Sequence, residues 1–375
     1  MAEPHDRASE LLAGPSAVAL QLEAPPKAGN AVAAPPRCGE HGVDPLSDVL
    51  RMVKLTGALF FVVDASNPWG IEVPQADAFA AIILPRAQHV VSYHIILKGS
   101  GWAVMPGVAP TRFEAGDILV FPHGDPYAML STPDQMPEFD SDATLQFFRD
   151  MAAGRLPFVI EEGGGGAERS EFVCGYLGCD VRPFNPVLAT LPRLLHVQRR
   201  AGGNDSMIDA LIEFTLAEAR TPSVGSACIR LRLSELMFVE VVRRYLETLP
   251  ALQTGWLAGL RDPAIGRVLS MMHERPAHPW QLSELAEQAA VSRAVLAERF
   301  AHLVGCPPMQ YLALWRMQVA ARLLADGEFK VAAVGHEVGY ESEAAFSRAF
   351  KKATGIPPAA WRRHHATAVV EATGD

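Results

Sequence analysis

Long apolar runs are missing from this sequence: none approaches the roughly 18 residues that a membrane helix requires, so a helix-spanned membrane protein is excluded. Cysteine is scarce. Cys38, Cys174, Cys179, Cys228 and Cys306 are an odd number spread over 375 residues, which argues against a disulfide framework and for reduced thiols. Positive charge is in deficit, with 33 Lys and Arg against 42 Asp and Glu, and a net −9 argues at first sight against a nucleic-acid partner. The opening Met-Ala-Glu-Pro-His-Asp lacks the basic stretch and apolar run of a secretion signal. Together these absences predict a cytoplasmic protein with no membrane partner.

What is present is globular in character, with 49% apolar and 20% charged residues in a chain long enough for two or three folded units. The acidity is uneven. Residues 262–365 carry 12 Lys and Arg against 10 Asp and Glu, residues 1–261 carry 21 against 30, and the last ten residues add two negative charges. The C-terminal hundred residues are therefore mildly basic, and charge alone does not mark them as a DNA binder.

Residues 1–44, rich in Pro and Ala without apolar period, read as a disordered leader. From Pro45 to about Leu130 the texture is of short β-rich runs: Leu59–Val63, Ala81–Leu84, Val90–Leu97 and Asp117–Phe121. Turn residues divide them at Asn67–Gly70, Lys98–Gly101 and Glu114–Asp117, a spacing that predicts a barrel or double-sheet jelly roll. Residues 131–185 read as loop-rich, with a glycine run at 163–166. Helical periodicity follows over Pro186–Val197, Ser206–Arg220 and Ser226–Leu249. In the last, Leu233, Leu236, Met237, Val241 and Tyr245 form a stripe that suits packing on the barrel or on a second subunit. The predicted organisation is a leader (1–44), a sensing and dimerisation unit (45–250), a linker (251–261), a DNA-binding unit (262–365) and a flexible tail (366–375).

An internal repeat is the most informative feature. A shift of 50 residues places Glu287 on Glu337, Ser292 on Ser342, Ala294 on Ala344, Phe300 on Phe350, Gly305 on Gly355, Pro307 and Pro308 on Pro357 and Pro358, and Tyr311 on Trp361. Each copy reads as a short helix, a tight turn and a longer helix, over 282–304 and 331–354. Ser292 and Ser342 stand where a hydroxyl caps the longer helix, and Gly305 and Gly355 stand just past its end. Leu296, Phe300 and Leu303, or Phe346 and Phe350, mark the buried face. Arg293, Ala294, Ala297 and Glu298 face outward in the first copy, and Glu343, Ala344, Ser347, Arg348, Lys351 and Lys352 in the second. This is the pattern of helix-turn-helix DNA binding, whose second helix enters the major groove. Pro308–Asp326 between the copies reads as one helix of about 27 Å, suited to hold two recognition helices near one duplex turn of roughly 34 Å apart.

From about Ala264 to Arg363 the sequence resembles the DNA-binding domain of AraC/XylS-type regulators, most specifically in Val338–Lys352 followed by Gly355-Ile356-Pro357-Pro358. The resemblance implies transcription regulation through promoter DNA, often with contact to RNA polymerase. Residues 45–250 likewise resemble the cupin-type sensor domain of one subgroup of that family. Gly116, five residues, then Pro122-His123-Gly124 matches the second cupin motif.

The metal ligands of that motif are depleted: Tyr127 stands where metal-binding cupins carry a histidine, Ser92 replaces one member of the first motif's His pair, and only His94 and His123 remain. A catalytic metal needs about three protein ligands, so the expectation is no metal, no cofactor and no enzymatic activity. A cupin metalloenzyme fused to a DNA-binding tail is the alternative. Trp69, Tyr93, His94, Trp102, His123 and Tyr127 are the candidate lining of a small-molecule effector pocket, although strand alternation sends only some of them inward. Cys174 and Cys179 offer a redox reading; in an extended strand they would lie some 17 Å apart, and a disulfide would need a turn at Gly175 or Gly178. Buried, inert thiols are the competing reading.

Overall fold

A computed structural model describes residues 44–52, 55–134, 141–180, 183–199, 206–221, 223–249, 254–327 and 329–363. The expected leader, save Asp44, and the expected tail lie outside them, as does Cys38.

The first part alternates helices and short strands. In chain order it runs α1 (Pro45–Met52), β1 (Leu55–Ser66), β2 (Gly70–Val73), α2 (Ala76–Ile83), β3 (His89–Lys98), β4 (Ser100–Met105), β5 (Val108–Glu114), β6 (Ile118–Phe121) and β7 (Tyr127–Leu130). It continues with α3 (Ser141–Ala152), β8 (Val159–Gly163), β9 (Arg169–Cys179), α4 (Pro186–Thr190), β10 (Leu195–Val197), α5 (Ser206–Arg220) and α6 (Ser226–Thr248). A six-stranded sheet in the order β10-β6-β3-β9-β1-β8 faces a four-stranded sheet β2-β7-β4-β5, the double-sheet form of a cupin. Phe61, Trp69, Phe79, Phe113, Phe121, Tyr127, Phe148 and Phe172 fill the space between, so the barrel interior is a packed aromatic core.

Several sequence expectations change here. Ala81–Leu84 is not a strand: Ala-Asp-Ala-Phe-Ala-Ala favours helix, and α2 stacks Phe79 on Phe148 with ring centroids 4.2 Å apart. Residues 131–185 are not mainly loop, because β9 is an eleven-residue central strand paired along both edges, with β1 and with β3. Its Gly175 and Gly178 disguise it. The helix expected over Pro186–Val197 stops at Thr190, and Leu195–Val197 pairs with β6 instead. In α6 the buried face is Ser234, Met237, Phe238, Val241 and Val242, packed on the outer face of the large sheet, while Leu236 of the expected stripe is exposed.

The second part is helical: α7 (Trp256–Arg261), α8 (Pro263–Glu274), α9 (Leu282–Gln288), α10 (Arg293–Val304), α11 (Pro308–Ala325), α12 (Val331–Glu337) and α13 (Glu343–Thr354). Of the expected linker 251–261, residues 251–253 lie outside the described residues and Trp256–Arg261 form α7. Trp256 is fully buried and its indole N–H donates to Tyr311 Oη at 2.8 Å, so a segment starting at 262 omits part of this core. One continuous apolar cluster runs from the outer face of the large sheet through α6 and α7 into α8–α10 and the first half of α11. A separate cluster joins the second half of α11 to α12, α13 and Trp361. The first repeat is thus welded to the sensor, and the second has a core of its own. The weld has polar pins: Phe184 N donates to Gln318 Oε1 at 2.9 Å, and Asp48 of α1 lies 3.4 Å from His273 Nδ1 of α8.

Candidate nucleic-acid interface

The two repeats fold as two equivalent units, each a seven-residue helix, a tight turn and a twelve-residue helix. Ser292 Oγ accepts from Val295 N and Ser342 Oγ from Ala345 N, both at 3.2 Å, so each serine caps its helix as its position predicts. Gly305 and Gly355 end these helices at φ 85° and 84°, a left-handed conformation glycine reaches without strain.

The register of the repeat needs one correction. In the short helix and turn the equivalent bonds are Val291 N to Ala286 O and Tyr340 N to Gly335 O, a shift of 49 rather than 50. Glu341 is the extra residue, and the Glu287–Glu337 coincidence is not a structural equivalence. The turn places Ala290 and Gly339 in the same left-handed conformation, at φ 57° and 82°. Gly339 is also pressed against Ala277, whose carbonyl oxygen a Cβ there would approach to 2.5 Å. Sequence inspection missed this pair because alanine rarely signals positive φ.

Leu296 and Phe300 in α10, and Phe346 and Phe350 in α13, are fully buried. Arg293, Ala294, Glu298, Glu343, Ala344, Arg348, Lys351 and Lys352 are exposed, with Ala297 and Ser347 half-buried. Arg299 is tied down: it pairs with Asp262, whose Oδ1 also caps α8 by accepting from Ala264 N and Ile265 N at 3.0 Å. The outer face of α10 therefore offers Arg293 beside Glu298, whereas α13 offers three cations, Arg348, Lys351 and Lys352, beside Glu343.

The six candidate effector residues do not share a pocket. Alternation along β3 separates Tyr93 from His94. His94 points into the barrel, where Nε2 lies 2.7 Å from Tyr127 Oη and Nδ1 lies 3.1 Å from Cys174 Sγ. Burial lowers the His94 pKa to about 3 and raises the Cys174 thiol and the Tyr127 phenol. Both imidazole nitrogens are thus spent inside the protein. Trp69 is part of the same core, Trp102 is half-exposed, and His123 Nε2 is engaged with Leu191 O at 2.8 Å. Tyr93 alone of the six faces α5 and α6.

The Cys174–Cys179 pair is also separated. β9 stays extended through both, and an odd spacing sends the thiols to opposite faces, Cys174 into the barrel and Cys179 into the outer cluster. Burial raises both thiols, Cys179 to about 12, so a disulfide between them would require unwinding the central strand. Among the described residues no three His, Cys, Asp or Glu side chains converge as a metal site, and no helix is long and apolar enough to cross a membrane.

Comparison with known proteins matches this architecture. A cupin family model covers residues 44–247 and a helix-turn-helix domain model covers residues 285–364. A putative AraC-like transcription regulator of Streptomyces lividans is 33% identical over 325 residues, 86% of this chain and 99% of its own. The HTH-type transcriptional regulator AlkR of Acinetobacter baylyi is 27% identical over 83% of this chain and 96% of its own. Among solved structures, the DNA-binding domain of AdpA in complex with a target DNA is similar at 30% identity, over 28% of this chain and 96% of that one, with a TM-score of 0.28. The full-length relatives are regulators, which sets aside the metalloenzyme alternative. The chain belongs to the AraC-like transcription regulators, with a cupin domain ahead of a DNA-binding domain of two helix-turn-helix units.

Proposed function

We propose that the chain binds double-stranded promoter DNA by seating α10 and α13 in successive major grooves, and that a small-molecule signal received by the cupin domain modulates that binding. The observation that carries this reading is the pair of capped twelve-residue helices with outward polar faces, one on either side of α11. Arg293, Ala294, Ala297 and Glu298 are the proposed contacts of the first unit, and Glu343, Ala344, Ser347, Arg348, Lys351 and Lys352 those of the second. Ser292 and Ser342 position the helix ends, whose free N–H groups suit a phosphate.

The two units should not contribute equally. Arg348 can donate two hydrogen bonds to guanine O6 and N7, worth about 1–3 kcal/mol of discrimination, whereas Glu298, its equivalent, can only accept and is repelled by phosphate. In a titration of the full chain against DNA from upstream of its own gene, Arg348→Ala is expected to weaken specific binding by about 10- to 100-fold. Glu298→Ala should leave it unchanged or raise non-specific binding. A larger loss for Glu298→Ala would assign sequence reading to the first unit. Absence of any preference for upstream DNA over random DNA, at one fixed salt concentration, would remove the DNA reading itself.

Contact with RNA polymerase is part of the same proposal, and transcription in vitro from the same fragment tests it. A homodimer is supported by the exposed apolar side chains of Met207, Phe214, Ile229 and Leu236 on α5 and α6. Sedimentation of the chain should give twice the monomer mass, and Phe214→Glu should return it to monomer; an unassociated wild-type chain overturns the dimer.

A further inference from the structure

A pocket opens where one edge of the large sheet is left unfinished. In parallel register β8 begins at Val159, and the first backbone bond across that edge is Val62 N to Phe158 O at 2.9 Å. Residues two apart in a strand turn their N–H and C=O groups to the same edge, so those of Phe60 face an edge that no neighbouring strand covers. Pro157, which cannot donate to a ladder, stands just ahead of β8. The space beside Phe60 measures about 330 Å³, the scale of a small-molecule site.

Its walls come from both apolar clusters of the first part. Phe61, Met151 and Ile160 belong with the barrel core, whereas Phe60 and Phe158, edge to face with ring centroids 6.3 Å apart, belong with the outer cluster. Arg230 of α6 is the one charged residue among the described lining, and it is half-buried. Other arginines of this domain are neutralised: Arg155 pairs with Asp150, Arg169 with Asp64 and Arg232 with Glu235. Arg230 has no ion pair or hydrogen bond among the described residues. A guanidinium held against hydrocarbon without a counter-ion carries a desolvation cost that an anion relieves. None of the six residues expected from the sequence to line an effector pocket stands here.

We propose that this pocket is the effector site and takes a hydrophobic carboxylic acid, its apolar body among the phenylalanines and its carboxylate on Arg230. The planar guanidinium offers paired N–H donors that match a carboxylate. Three phenylalanine rings in the wall favour an aromatic body. A cation is repelled by Arg230, and a neutral molecule leaves its charge uncompensated. The inference rests on the reading of the chain as a signal-responsive regulator and gives the signal a place and a chemistry.

The pocket is also connected to the DNA-binding part. Phe60 and Phe158 lie in the apolar cluster that continues through α7 into α10. The helix that carries Arg230 ends at Thr248, and the carbonyls Leu246 O and Leu249 O at that end accept from Arg261 Nη1 of α7 at 3.5 and 2.5 Å. At the other end of α7, Gly255 N donates to Leu303 O of α10 at 2.7 Å. A ligand that draws Arg230 into the pocket therefore acts on α10 through α6 and α7.

The test uses the full-length chain with sodium 4-phenylbutyrate as probe, 4-phenylbutan-1-ol as its uncharged counterpart and 4-phenylbutylamine as its cationic one. Calorimetry without DNA should show saturable binding of the acid, at least about tenfold tighter than of the alcohol, and none of the amine. Arg230→Gln should weaken the acid about tenfold or more and hold the alcohol as the wild type does, which also shows the pocket intact. Arg230→Lys, which keeps the charge but loses the fork, should fall between. Leu156→Trp, whose indole fills the pocket, should abolish binding of both. Saturating phenylbutyrate should then change the affinity for upstream DNA at least about threefold in the wild type and not in Leu156→Trp. Non-saturable uptake, equal affinity for acid and alcohol, or an acid isotherm unaltered in Arg230→Gln overturns the site. Saturable binding with unaltered DNA affinity overturns its effector role. Calorimetry is read without DNA, so failure of the DNA-binding reading and failure of the pocket are told apart.

Discussion

Between pH 7 and about pH 4 the folded chain is expected to lose several kcal/mol of stability, with His94 the largest single contributor. Its imidazole is fully buried, it rests on Phe121, Phe172 and Tyr127, and its hydrogen-bond partners are a phenol and a thiol rather than a carboxylate. Nothing there compensates a positive charge, and burial pulls its pKa from 6.5 to about 3. In the unfolded chain the same ring titrates near 6.5. Below that pH the unfolded state binds a proton that the folded state refuses. Stability is therefore full above about pH 6.5 and falls by roughly 1.4 kcal/mol per pH unit until the folded site is protonated near pH 3.

His273 acts in the same direction: burial lowers its pKa, partly offset by Asp48. Urea unfolding at pH 7.5, 6, 5 and 4 measures the slope. His94→Gln should be less stable at pH 7.5 but flatter across the series; an unchanged slope would place the acid sensitivity elsewhere.

Phe350→Ala should cost about 3–5 kcal/mol and confine the damage to the second helix-turn-helix unit. Phe350 is fully buried between Phe346 and Trp361, at ring separations of 5.6 and 5.8 Å, in the cluster that the second unit does not share with the sensor. Trp361 closes that cluster by donating to Ala321 O at 3.1 Å. Hydrogen exchange in the variant should show residues 329–363 opening while the sheet and α8–α10 stay protected. Specific DNA affinity should fall by at least about tenfold, because one of the two proposed recognition helices is lost. Leu296→Ala is the contrast: its side chain sits in the cluster continuous with the sensor, so its effect should spread to α7 and α6. If Phe350→Ala instead unfolds the chain in one transition, the two units share a single cooperative core.

Legibility followed the range of the interactions involved. The DNA-binding half was readable because its determinants are local: Ser292 and Ser342 cap a helix three residues away, Gly305 and Gly355 end one, and the i, i+4 spacing of Leu296 and Phe300, or Phe346 and Phe350, marks the buried side. Even there the one-residue insertion at Glu341 escaped notice, because identities downstream of it set the apparent register. Strands β3 and β6 were visible as β-branched runs, and the glycine-rich β9 was not, since its place at the sheet's centre depends on β1 and β3 more than 70 residues away.

The sequence by itself determined that a strand-rich domain precedes two helix-turn-helix units, because helix caps and apolar periodicity are written within a few residues of one another and a repeat shows by its own self-similarity; its cupin type was implied by resemblance to a family motif. Only the tertiary structure decided that 256–261 is core rather than linker, that His94 meets Cys174 across 80 residues while Tyr93 turns the other way, and that the first unit shares a core with the sensor while the second does not. Strand partners, side-chain parity and the boundaries of a core are set by which distant surfaces exclude water together, and a linear pattern does not carry that information.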